Sequence, residues 1–186
     1  MMIENINQQE LSTKILAEMT LKIRQSLKLK EIMQTTVLEV RKLLQIDRVI
    51  IYKILNEGSG QIITEAKSDF VDSILNQKFT CEVFPLEYQE LYKKGRIRSI
   101  EDIDQGNISK CVIDFLKLWQ VKSSLIVPIL VKEELWGLII VHHCQEIRKW
   151  LNWEIELLKL LGNQVGIAID HAQMSEILQE SEKRYL

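Results

Sequence analysis

The chain has 186 residues, 24 of them basic and 26 acidic, for a net charge of −2. That length favours one domain with a single core, and a charge balance without a basic excess or an acidic block argues against nucleic-acid binding and against a solvating tail. Three cysteines, Cys81, Cys111 and Cys144, with no Cys-x-x-Cys pair, suit free thiols in a reducing cytoplasm better than a disulfide framework.

Residues 5–27 carry apolar side chains at helical spacing (Ile6, Leu11, Ile15, Leu16, Met19, Ile23), and a second helical run starts at Leu29. After Asp47, "RVIIYKIL" predicts a strand, "NEGSG" a turn and "QIITEA" the returning strand. Residues 68–84 are irregular. Pro85 opens a short helix, "LEYQELYKKG", stopped by Gly95, and "RIRSI" is a short strand. Ser109 is placed to cap a helix running to about Trp119.

"SSLIVPILV" and "LWGLIIVHH" predict a second hairpin, apolar enough to be covered on both faces and far too short to cross a membrane. From Asn152 one long helix runs toward the end, with a polar distal part that reads as a connector to another domain or a pairing surface for a second chain. No signal-peptide pattern precedes the first helix. The sum is an α+β arrangement: an antiparallel sheet with the terminal helices on one face. The segment 68–122 lies on the other face, with a pocket between sheet and insertion.

Few residues in this pattern carry chemistry. From spacing alone Cys111 reads as a small apolar residue on the inner face of its helix. Its place in the first turn, where the helix dipole favours thiolate, opens a second reading as a covalent anchor for an electrophilic ligand. A hydrolytic role would need a general base, and only His142, His143 and His171 are available. Strand alternation sends one of His142 and His143 inward. No close pair of ligands has metal-site spacing, so no metal is expected. Arg96 and Arg98 alternate with Ile97 and suit solvent or a carboxylate or phosphate clamp. Trp119 and Trp136 suit the core or the wall of a site for a flat ligand.

Several blocks in order, "DRVIIYKI…GSGQIITEA", "ELYKKGRIRSIEDI", "CVIDFLKLWQVKSSLIVPIL", "LWGLIIVHHC" and "RKW…LLKLLGNQVGIAI", resemble the bilin-binding GAF domains of cyanobacteriochromes, relatives of phytochromes. The resemblance covers about residues 29–173. It implies a GAF fold with a six-stranded antiparallel sheet, a non-enzymatic photoreceptor role, and a linear tetrapyrrole, usually phycocyanobilin, joined by a thioether to Cys111. Signalling would follow light-driven isomerisation of the double bond between rings C and D.

The resemblance places His142 near the D-ring, Arg96 at a propionate, and Tyr92 in the same block. It divides the chain into an N-terminal helix or linker (1–28), the photosensory domain (29–173) and a signalling helix (174–186). A homodimer through the terminal helices and a downstream signalling domain complete the implied arrangement.

Three departures mark this chain. The residue after the anchor, usually histidine, is Val112. The usual Asp-x-Cys-Phe becomes Cys81-Glu82-Val83-Phe84, which keeps the phenylalanine and loses both the aspartate and the second reactive cysteine; Glu82 is the nearest carboxylate to take over the pyrrole proton. The tryptophan often found in the first hairpin turn is missing from "NEGSG". These losses keep a second function open, a regulatory or dimerising GAF domain that binds no chromophore or another small molecule.

Overall fold

The computed structural model describes residues 2–25, 29–80 and 83–185, with side chains of 7–21, 29–80 and 83–185. The side chains of Ile6 and Ile23 in the predicted first stripe, and the candidate residues Cys81 and Glu82, lie outside the described residues.

Helices α1 (Met2–Gln25) and α2 (Leu29–Leu44) precede β1 (Arg48–Ile54) and β2 (Gly60–Lys67). Helix α2 is built on one stripe: Ile32, Met33, Thr36, Val37, Val40 and Leu44 are all buried. Glu31 in its first turn and Arg41 and Lys42 in its last oppose the helix dipole favourably. The insertion then supplies a two-residue strand, β3 (Lys78–Phe79), helix α3 (Leu86–Lys93), strand β4 (Arg98–Ile100) and helix α4 (Lys110–Leu118). Strands β5 (Ser123–Val131) and β6 (Glu134–His143) and helix α5 (Asn152–Arg184) complete the chain.

The six strands form one antiparallel sheet in the order β3-β2-β1-β6-β5-β4. Two expectations differ in detail. The segment 68–84 contributes the edge strand β3, too short to leave a periodic signal, and β4 begins at Arg98, leaving Arg96 before the strand. The β5–β6 turn places Lys132 and Glu133 at φ 50° and 65°. That geometry usually selects Asn-Gly, so here the turn follows from the pairing of its flanking strands.

Alternation along the central strands separates two layers. Val49, Ile51, Leu125, Val127, Ile129, Ile139 and Val141 face the helices and pack with α2, α5 and Met19 of α1. Ile50, Tyr52 and Leu138 face the other side, with Ile62, Ile74, Phe79 and Tyr92. Trp136 belongs to the helix side, which removes it from the walls of any site under the insertion. Helix α5 approaches β5 closely because Gly162 and Gly166 offer no Cβ: one added at Gly162 would lie 2.6 Å from the Pro128 carbonyl oxygen, and one at Gly166 would overlap that of Leu130.

Strand β2 carries a β-bulge that decides which side of the sheet its residues face. Ile51 pairs with Thr64 and Tyr52 with Ile62, so Ile63 is the extra residue. It lets both Ile62 and Glu65 fall on the insertion side of the sheet, Glu65 opposite Ile50.

Candidate functional site

Between the sheet and the insertion lies an apolar cavity of about 130 Å³. Its floor is the insertion-facing row of the sheet: Ile50, Tyr52, Ile62, Ser124, Ile126, Leu138, Ile140 and His142. Its roof comes from the insertion, with Val83, Phe84, Tyr92, Val112, Phe115 and Trp119 among the lining residues.

Aromatic rings meet one another between floor and roof. Phe79 meets Phe115 and Trp119 edge-on at 5.5 and 5.3 Å, and Tyr52 meets Phe84 edge-on at 5.9 Å. These are favourable aromatic geometries. What remains is close to the size of an engineered cavity of about 150 Å³ that takes up benzene.

Three polar groups on this wall are buried without a hydrogen-bond partner: the Tyr52 hydroxyl, the Trp119 indole N–H and the Ser124 hydroxyl. Buried polar groups are normally satisfied, so each is a point where a ligand could supply a partner. Burial pushes the Tyr52 phenol up to about 12 and that of Tyr92 in the same direction, so both stay protonated at neutral pH.

A buried charged pair, Arg48 and Glu65, stands beside His142. Arg48 and His142 are opposite one another in the β1–β6 register, and Ser124 is opposite His142 in the β5–β6 register, making a polar row across three strands. Both Arg48 and His142 are almost completely buried. Arg48 Nη1 lies 3.3 Å from His142 Nδ1 and donates to the Trp119 carbonyl at 3.1 Å, and Nη2 donates to the Asp72 carbonyl at 2.7 Å. Arg48 Nε is 3.3 Å from the Glu65 carboxylate, an ion-pair distance without hydrogen-bond alignment. Burial first, and the Arg48 charge second, push the His142 imidazole down to about 3.

His143 points the other way, its Nδ1 3.3 Å from the Asp47 carboxylate, which also accepts from the Cys144 and Gln145 N–H groups. His142 is therefore the inward histidine of the pair.

The candidate residues fall into three sets. His142, Tyr92, Val112, Val83 and Phe84 line the cavity. Cys111 is exposed in the first turn of α4, and Ser109 before it and Val112 after it both line the cavity. Arg96 does not line it; its guanidinium lies over the Tyr88 and Tyr92 rings at 5.9 and 5.7 Å, while Arg98 reaches the cavity wall. Ser109 is the residue before α4, as its sequence suggests, but its side chain makes no capping bond. Among the described residues no cluster of histidine, cysteine and carboxylate groups could hold a metal ion. No helix of the described residues is long and apolar enough to cross a membrane.

Sequence reasoning passed over Arg48 and Glu65. The signal was present: a charged residue in phase with Ile50 and Tyr52 at the head of an otherwise apolar strand sits on the buried face by alternation.

A sequence profile described as GAF domain matches residues 28–169. The circadian input-output histidine kinase CikA of Thermosynechococcus vestitus is 33% identical over 184 residues, covering 94% of this chain and 25% of the kinase. The chain thus spans about a quarter of the length of that curated relative. Among solved structures, the phycocyanobilin-bound GAF domain of a cyanobacterial phytochrome is 34% identical with a TM-score of 0.80, covering 88% of this chain and 96% of that one. The blue-light absorbing form of the Thermosynechococcus elongatus PixJ GAF domain is 26% identical with a TM-score of 0.77, covering 90% and 96%.

Proposed function

The chain belongs to the GAF domain family, and on that premise we propose that it is a photosensory module holding a linear tetrapyrrole, phycocyanobilin or a near relative, through a thioether to Cys111. One observation carries the reading: Cys111 is exposed on the first turn of α4, and although it does not itself line the cavity, Val112 after it and Ser109 two residues before it do. Attachment adds the thiol across a carbon–carbon double bond of the A-ring side chain; a C–S bond forms, the thiol proton passes to the adjacent carbon, and nothing leaves. When bound, the tetrapyrrole supplies light absorption and isomerisation at the C/D-ring double bond.

The remaining residues bind and orient. The three unpartnered polar groups and His142 offer hydrogen bonds to an extended ligand with oxygen and nitrogen along its edge. Arg96, beside two tyrosine rings at the cavity margin, takes a propionate. Glu82, with Cys81 next to it, is the proposed carboxylate for the pyrrole nitrogens. Val112 offers an apolar contact where histidine is usual, and Val83 and Phe84 close the roof.

Signals leave through α5. Leu160, Ile167 and Met174 recur every seven residues on its exposed side, and Leu178 follows four residues on, the pattern of a helix that pairs with a second copy. The proposed output is a further domain of a longer cytoplasmic signalling protein.

Co-expression with a phycocyanobilin source tests the reading. A coloured protein whose band survives denaturation, fluoresces with zinc on a gel and disappears in Cys111→Ala supports it. A colourless, folded product rejects it and favours the second reading, a regulatory GAF domain without a chromophore, for which the small, ring-lined cavity speaks.

A further inference from the structure

We propose that Arg48 is the positioning residue of this cavity: its guanidinium fixes His142 as the neutral Nε2–H imidazole, so that the ring meets the pigment as a hydrogen-bond donor. The proposal deepens the photosensory reading and rests on it for the identity of the ligand.

The chemistry of the pair leaves one arrangement. A guanidinium carries five N–H donors and no acceptor. With Nη1 3.3 Å from Nδ1, a hydrogen bond forms only if Nδ1 presents its lone pair, and a neutral imidazole with a bare Nδ1 carries its proton on Nε2. An Nδ1–H tautomer or an imidazolium would set two donors against each other at a pair of buried side chains. Burial and the Arg48 charge both disfavour the imidazolium.

Arg48 cannot turn away. Register puts it directly opposite His142. Its second Nη1 proton goes to the carbonyl of Trp119, the residue that ends α4, and Nη2 goes to Asp72 in the loop after β2. On the Nε side stands the Glu65 carboxylate, itself fixed by the Ile74 N–H at 3.0 Å and by the Ser73 hydroxyl. The guanidinium is thus held by three segments before it reaches the histidine. Its carbonyl acceptor also ties the cavity residue Trp119 to the same centre.

The tautomer is measurable without pigment. In long-range ¹H–¹⁵N spectra of the uniformly ¹⁵N-labelled, ligand-free chain, His142 is assigned as the imidazole lost in His142→Gln. The expected result is one pyridine-type nitrogen at Nδ1 and one pyrrole-type nitrogen at Nε2, unchanged between about pH 5 and 8, the range over which a free imidazole titrates. An Nδ1–H pattern, an averaged pattern or an imidazolium overturns the proposal.

Arg48→Met keeps most of the side-chain length and removes every donor, so the His142 pattern should move toward the average of both tautomers. A folded Arg48→Met protein that retains the pure Nε2–H pattern removes Arg48 from the role. If Arg48→Met does not fold, Glu65→Gln, which leaves the guanidinium and weakens its Nε anchor, is expected to give a partial loss of the pattern; no change overturns the role. A chain that took up no phycocyanobilin would overturn the photosensory reading and leave the tautomer result standing. A pigmented chain with Nδ1–H would do the reverse.

Discussion

Gly166 lies against the carbonyl oxygen of Leu130, with no space between them for a methyl group. The obstacle is the backbone of Leu130, paired with Leu135 of β6 near the end of β5, and not the movable end of a side chain. Gly166→Ala is expected to push α5 off β5 and cost about 2 kcal/mol, read as a lower urea midpoint with an unchanged m-value.

Stability should fall in acid with a component that belongs to His142. The unfolded chain takes up a proton near the ordinary value of 6.5, whereas the folded chain holds the imidazole neutral down to about 3. Between those values the unfolded state binds more protons, so the contribution is present above pH 6.5 and is lost as pH falls toward 3. Urea unfolding of wild type should carry about 1.4 kcal/mol per pH unit more slope across this window than His142→Gln.

The Tyr52 hydroxyl is buried and unpartnered in the ligand-free domain. Tyr52→Phe removes the unsatisfied group and keeps the ring, so the ligand-free protein should gain about 1 kcal/mol. If the hydroxyl is a ligand contact, the same variant should release non-covalently held phycocyanobilin faster, measured in the Cys111→Ala background. A loss of ligand-free stability would contradict the assignment.

Cysteine labelling should separate the two described thiols. Cys111 is exposed, while Cys144 is buried and its thiol is pushed up to about 11, by burial first and by Asp47 as well, against an opposing effect of Arg48. Iodoacetamide at neutral pH should modify Cys111 at least about tenfold faster than Cys144, as followed by peptide mass spectrometry. Covalent pigment should protect Cys111 alone.

Charge placed on the exposed α5 stripe should prevent self-association. Ile167→Glu and Met174→Glu together are expected to shift sedimentation from dimer to monomer without changing the far-ultraviolet circular dichroism. A wild-type chain that stays monomeric at high concentration would refute the dimer.

The two-layer plan was legible because apolar runs bounded by turn residues marked the strands, apolar residues recur near 3.6 in α2 and α5, and the block order carried the family. Strand β3 was not, since two residues give no period and its pairing with β2 is set by tertiary contact. Alternation told that one of His142 and His143 points inward but not which, because it gives a parity and the sheet supplies its sign. Arg48 and Glu65 escaped because a charged side chain at a strand end suggests solvent. Only the register, and the bulge at Ile63, reveal that they meet. Likewise the cavity's small volume depends on how Phe79, Phe115 and Trp119 interlock, which no one-dimensional pattern encodes.

The bulge at Ile63 makes this domain sensitive to counting as well as to chemistry. Pair β2 regularly through that residue and everything beyond it would change parity, sending Glu65 toward the helices and taking the carboxylate from the Arg48 Nε; delete it, and Thr64 and Glu65 keep their places opposite Ile51 and Ile50. Substitutions in β2 are thus questions of fit, and a single-codon deletion at Ile63 is absorbed by the bulge, whereas a single-codon insertion between Ile63 and Glu65 is a frameshift in three dimensions, felt at a histidine two strands away.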